Sequence, residues 1–478
     1  MRGRRACPAV LFEEMGDDME TNLRDMTVGR PRELILRFAL PLMLGSMFQQ
    51  FYAMVDAAVL GRGVGVDALA AVGATDWLNW MIISSCLGLT QGFSILMAQH
   101  FGSEDFPALR RTIAQSTLLT LASALLFTIA SLALVRPILG LLKTPAEIME
   151  GAVLYITIIF LGIPIIMAYN LLSALLRALG DGKTPLIAMV IAAAINIVLD
   201  LLFVMVFHWG IAGAGIATLM AQCFSGLYCF LSIRRVARLR PERADWRPDG
   251  PLCARLLKLG LPIAAQNGII SVGGLAVQSV ANGFGVVFVA GYTTTNKLYG
   301  LLELAATSFG YSMCTFMGQN IGARKYHRMR QGLRSGVLMA LGVSVCITVV
   351  ILLFGRQIAS LFVSASDQDA AQVVAIAFEY LSIMATFLSI LYLLNIYRSA
   401  LQGMGDTIMP MVSGIAELAM RIGAAFLLPV YIGHTGVFAA EICAWTLASL
   451  LLMATYYVRM HRLPRLDEPP APESTQPT

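Results

Sequence analysis

ALGDGKTP at Ala178–Pro185 and QGMGDTIMP at Gln402–Pro410 are two versions of one motif. An offset of 225 brings Gly180, Asp181 and Pro185 onto Gly405, Asp406 and Pro410. Outward from this pair the correspondence continues at a neighbouring offset. Leu40–Pro41 lies 221 residues before Leu261–Pro262, and Gln99 with Gly102 lies 220 before Gln319 with Gly322. A repeat this large, in a chain this apolar, points to a membrane transporter built from two homologous lobes. At the same offsets Asn196 becomes Arg421, Asp200 becomes Ala425 and Asp56 becomes Val277. The halves share a pattern, but only the first carries this acid pair.

Hydrophobic residues make up 57% of the chain and charged residues 13%, with a mean hydropathy of +0.73. A soluble domain carries about 25% charged residues, so this composition describes a polytopic all-α membrane protein. The net charge of +5 sits in short loops between apolar runs and calls for no nucleic-acid partner. Eight cysteines contain no CxxC pair and five histidines form no motif, which argues against a disulfide or metal framework. The two GD stretches lack the GxxxxGK[ST] spacing and a preceding strand, so they are not phosphate loops. They read as turns that end one helix and start the next, with proline in the first turn.

A helix needs about 20 apolar residues to cross a bilayer. Twelve segments qualify. In the first half they run near 34–60, 69–98, 112–135, 150–176, 185–207 and 210–233; in the second, near 256–281, 288–317, 334–355, 372–398, 408–430 and 436–458. Loops after the even-numbered segments carry eighteen lysines and arginines, Arg177, Lys183 and Arg398 among them, against four in the opposite loops. By the positive-inside rule both termini are expected in the cytoplasm. Six segments per half then make the repeats parallel, related by an axis along the membrane normal. The expected division is a disordered lead over 1–30, a first lobe over 31–233, a basic linker over 234–255, a second lobe over 256–460 and a disordered tail over 461–478. AVLF at 9–12 is too short for a signal-peptide core.

Asp56 is the only charged residue between Phe38 and Leu60. A carboxylate at membrane depth costs at least ~2.5 kcal/mol and therefore faces the bundle interior. Gln49, Tyr52 and Asp56 fall three and four apart, on one helical face. Asn196 and Asp200, four apart, share a face of segment 5. Their oxygens are hard ligands that suit Na⁺, and the carboxylate suits a proton. Both acids come late in outward-running helices, so both should lie in the outer half of the first lobe. In the second lobe Glu417 and Arg421, four apart, read as a helical ion pair. Lys297, Glu303, Gln278 and Asn282 are further candidates for lining a cleft.

The chain resembles the multidrug and toxic compound extrusion family. The resemblance rests on RFALPLMLGSMFQQFYAMVD in segment 1, LTQGFSILMAQHFG after segment 2 and LLRALGDGKTP before segment 5. GIAGAGIATLMAQ in segment 6, MGQNIGARK after segment 8 and ALQGMGDTIMP before segment 11 extend it over roughly residues 30–460. It implies two six-helix lobes around a central cleft, and export of amphipathic, often cationic compounds in exchange for Na⁺ or H⁺, with no other cofactor. It further implies a coupling role for Asp56, Asn196, Asp200 and Thr218, a cleft role for Gln49 and Tyr52, a bacterial plasma-membrane location and a monomer. Some members place a working carboxylate in the second lobe, which Glu303 or Glu417 would supply here.

Two other readings compete. A lipid-linked oligosaccharide flippase of the same superfamily would line its cleft with arginines for pyrophosphate, and the apolar segments offer only Arg421 beside a glutamate. An intramembrane enzyme would need a motif such as HExxH, and none occurs.

Overall fold

The computed structural model describes residues 23–142, 144–360 and 370–464, and among these every regular element is helical. Expectations for 1–22 and 465–478 fall outside the described residues. In lipid a helix satisfies its own backbone donors and acceptors, which is why the long apolar runs become rods. The first lobe comprises α1 (Pro31–Gly63), α2 (Val66–Gly102), α3 (Phe106–Leu141), α4 (Ala146–Leu161), α5 (Ile163–Ala178), α6 (Lys183–Asp200) and α7 (Gly210–Arg235). The second comprises α8 (Gly250–Asn282), α9 (Val286–Gly322), α10 (Tyr326–Ser360), α11 (Ala370–Thr386), α12 (Leu388–Gly403), α13 (Ile408–Ile432) and α14 (Thr435–His461).

Among the described residues nine single helices are long and apolar enough to span a membrane, and the two bent pairs raise this to eleven. The twelfth expected segment is α9, which has the length but carries Thr293, Thr294, Thr295, Asn296, Lys297 and Glu303. Segments 4 and 10 are each broken. α4 and α5 meet at 47°, and α11 and α12 at 50°. The breaks, at Gly162 and Phe387, are 225 residues apart, so the bend belongs to the repeat. Pro164, in the first turn of α5, has no amide to donate to the preceding turn, which breaks the rod after Gly162.

The GD turns fold as expected. Gly180 and Gly405 adopt φ of 79° and 88°, a region glycine enters without strain. The following aspartates cap the next helices. Asp181 Oδ1 accepts from the Lys183 and Thr184 amides at 2.9 and 3.0 Å, and Asp406 Oδ1 from the Met409 amide at 3.2 Å.

Each lobe has its own apolar core, and the lobes exchange one half-helix. Ile35 and Phe38 of α1 pack into the second-lobe core, and Leu256 and Leu259 of α8 pack into the first. These residues are equivalent at the 221 offset. Small residues let α2 and α8 touch across the lobes: a Cβ on Gly92 would lie 2.3 Å from the Gly260 Cα.

Two expectations need correction. Leu23–Arg30 does not belong to a disordered lead. Met26 is fully buried; its amide donates to Gln319 Oε1 at 2.7 Å and its carbonyl accepts from Asn320 Nδ2 at 3.1 Å. Arg177 and Arg398, assigned to loops, lie within α5 and α12, because their helices continue past the apolar runs. The linker packs on the first lobe. Gln115 of α3 is buried and donates to the Asp245 and Arg247 carbonyls, both at 2.8 Å, while Arg110 and Arg111 pair with Glu242 and Asp249 at 3.2 and 3.5 Å.

Candidate cation site and the cleft

Close packing of α1 on α6 brings the first-lobe acids together. A Cβ on Gly45 would lie 2.8 Å from Met189 Sδ, and one on Gly63 would lie 2.7 Å from Met205 Sδ. Between these two contact points Asp56 meets Asp200, close enough for their carboxyl groups to share a hydrogen bond. Asn196 lies one turn before Asp200, and the two are 1% and 0% exposed. Tyr52 packs against Gln49 within the field of both acids, and Gln49 is exposed.

The side-chain atoms of this site lack protein partners. Asp56 Oδ1, both Asp200 oxygens and both polar atoms of Asn196 are buried with no hydrogen bond. Buried polar atoms are ordinarily paired, and two ionised carboxylates offer each other no donor. Two like unit charges 4 Å apart in an effective dielectric of 20 repel by about 4 kcal/mol. A proton shared between them, or a small cation held by Asp56, Asp200 and the Asn196 carbonyl oxygen, removes both problems. Among the described residues no group of three His, Cys, Asp or Glu is placed to hold a metal. The donor set here is two carboxylates and an amide, which fits Na⁺ or H⁺ rather than a transition metal.

The backbone changes at the same place. Leu201–Val206, directly after Asp200, is a π-helical turn. Its equivalents at the 225 offset lie in the unbroken α-helix α13. Such turns widen a helix and frequently mark functional sites. Thr218 of α7 is half-buried and its hydroxyl donates to the Ala214 carbonyl at 3.1 Å; no hydrogen bond ties it to the acids.

In the second lobe the Glu417–Arg421 pair forms, at 2.9 Å, as part of a larger network. Arg398 holds Glu417 at 2.7 Å and Arg421 also holds Glu441 at 2.9 Å. Glu417 and Arg421 are 3% and 6% exposed, so this network ties α12, α13 and α14 together. Glu303 of α9 is half-buried. Near the far end of α8, Gln278 Nε2 donates to Asn282 Oδ1 at 2.9 Å. Lys297 is exposed on α9.

Asp76 and Glu441 were not among the residues expected from the sequence. Each is the only charged side chain in a long apolar stretch, the same signal that singled out Asp56. Arg398 and Met26 were hidden differently, since their roles depend on partners distant in sequence.

Two repeated lobes of long apolar helices, with a buried acid site in one of them, fit a membrane transporter. The MatE family pattern matches residues 41–202 and 262–427, one match in each lobe, and the chain belongs to this family, that of multidrug and toxic compound extrusion transporters. It is 30% identical over 415 residues to the "Probable multidrug resistance protein YpnP" of Bacillus subtilis (strain 168), covering 86% of this chain and 92% of the relative. The same organism's "Probable multidrug resistance protein YoeA" is 27% identical over 442 residues, covering 88% and 92%. A solved structure described as the "Outward-facing conformation of a multidrug resistance MATE family transporter of the MOP superfamily" superposes with a TM-score of 0.85 at 24% identity, covering 92% of this chain and 98% of that one.

Proposed function

We propose that this chain is a secondary active efflux antiporter that exports amphipathic, often cationic compounds in exchange for Na⁺ or H⁺. The observation that carries this reading is the buried, unpartnered set Asp56, Asn196 and Asp200, present in one lobe of an otherwise repeated fold. A cation or proton entering it stabilises one arrangement of the lobes, and the exported compound favours the other, so exchange follows from differential affinity for two states. One inward charge moving down 100 mV supplies about 2.3 kcal/mol. The names of the relatives, multidrug resistance proteins, support the substrate class. The basic loops support a bacterial plasma-membrane orientation with both termini in the cytoplasm, and the unit is taken as a monomer.

The flippase alternative is not favoured. Arg398 of α12 and Arg421 of α13 are both paired with glutamates. Expression in a drug-sensitive bacterium tests the efflux reading. Wild-type protein raises resistance, and Asp56→Asn and Asp200→Asn abolish it at normal expression. Wild-type resistance in either variant overturns the coupling assignment.

A further inference from the structure

Asp76 of α2 and Lys297 of α9 occupy matching positions along equivalent helices of opposite lobes. Asp76 lies ten residues into α2 and Lys297 eleven into α9, which at about 1.5 Å per residue puts both about 16 Å from the helix starts. Both side chains are exposed, and among the described residues the Lys297 ammonium is within electrostatic reach of Asp76. No salt bridge closes between them, and each stays exposed on its own lobe. The repeat sharpens this. At the 220 offset that aligns α2 with α9, Asp76 becomes Asn296 and Trp77 becomes Lys297. One lobe therefore carries an acid where the other carries an amide, and a cation where the first carries an aromatic ring.

Around Asp76 the surroundings suit an organic cation. Trp80, one turn along the same helix face, is 59% exposed, and an exposed indole attracts a cation and accepts flat apolar groups. Tyr155, 8% exposed, lies in the field of Asp76, Asp56 and Asp200 together, so Asp76 borders the coupling site without joining it.

We propose that Asp76 determines specificity for positively charged substrates: its carboxylate receives the charge, Trp80 takes the apolar body, and Lys297 is a built-in competitor. With no substrate bound, the Lys297 ammonium is the nearby counter-charge to Asp76, without a direct ion pair. A lipophilic cation takes over that role and repels Lys297, which presses the lobes apart. An uncharged compound of the same shape cannot displace it. This rests on the efflux reading, but concerns binding alone and is tested without any gradient.

The experiment measures equilibrium binding of tetraphenylphosphonium, and of uncharged tetraphenylmethane carrying a solubilising ether chain, to purified protein in nanodiscs. Asp76→Asn is expected to weaken the phosphonium at least tenfold and to leave the neutral probe within twofold. Lys297→Gln is expected to tighten the phosphonium several-fold, and that gain disappears in the Asp76→Asn background. Equal weakening of both probes, or weaker phosphonium binding in Lys297→Gln, overturns the proposal while leaving efflux intact. Wild-type protein that binds no phosphonium overturns the proposal together with the cationic-substrate clause of the efflux reading. Both side chains are exposed, and thermal unfolding of each variant verifies that it folds.

Discussion

Gln99 and Gln319 make the same contact in opposite directions. Gln99, near the end of α2, donates from Nε2 to the Gly403 carbonyl of the second lobe at 3.3 Å; Gln319, near the end of α9, donates to the Ala178 carbonyl of the first at 2.8 Å. Thr315 adds a bond to the Arg177 carbonyl at 3.1 Å. Together they close the lobes at the end that carries the basic loops, while Asp76, Trp80 and Lys297 remain exposed.

Glycine permits this closure. A Cβ on Gly102 would lie 2.0 Å from the Gln319 carbonyl oxygen, and one on Gly322 would lie 2.0 Å from the Gln99 carbonyl oxygen. Those atoms are backbone and cannot rotate aside. Overpacking of this kind costs about 1–3 kcal/mol, all of it charged to the closed state. Gly102→Ala is therefore expected to raise the population open at this end by about 5–150-fold. Spin labels at Ser103 and Ala323 read it as a longer distance distribution, and an unchanged distribution contradicts the role given to Gly102.

Met26 adds a hook to the same closure. Besides its bonds to Gln319 and Asn320, the segment is held by Lys325 Nζ on the Thr27 carbonyl at 3.0 Å and by the Arg24 amide on the Leu179 carbonyl at 3.2 Å. It thus touches both lobes, and opening must release it. Cys314 packs with Ile95 and Ile263 between the lobes and is 7% exposed, which makes it a natural reporter. In a protein retaining only Cys314, Met26→Asp is expected to speed maleimide labelling at least fivefold. Equal rates mean the hook does not restrain opening.

Glu417 is expected to matter for folding. Removing it leaves Arg398 without its carboxylate and Arg421 with Glu441 alone. Breaking a buried ion network by deleting one partner costs about 3–5 kcal/mol. Glu417→Ala should therefore lower the thermal midpoint sharply. Glu303→Gln should shift it little, since among the described residues no ion pair closes on Glu303. Equal midpoints for Glu417→Ala and the wild type would contradict a structural role for the network.

The repeat, the helical rods and the acid site were legible in the sequence because each rests on local spacing. Proline and glycine marked the turns, lone charges marked Asp56 and Asp200, and an offset marked the symmetry. What escaped depends on three-dimensional pairing. Nothing near Met26 announces that Gln319 accepts its amide, and Arg398 looks like a loop residue until α13 places Glu417 beside it. The bend at Gly162 was signalled by Gly162 and Pro164, while the one at Phe387 sits in a run with neither glycine nor proline. Asp76 was different: it met the rule that chose Asp56, and its meaning appeared only when the fold brought Lys297 within electrostatic reach.

The central claim is that Asp56 and Asp200 couple a cation to efflux. Ethidium efflux from proteoliposomes tests it directly, with a Na⁺ gradient and a pH gradient imposed separately. Efflux driven by one of the two gradients, and lost in Asp200→Asn, is the predicted result and names the coupling ion. Gradient-driven efflux that persists in Asp200→Asn, or none under either gradient from folded protein, contradicts the account.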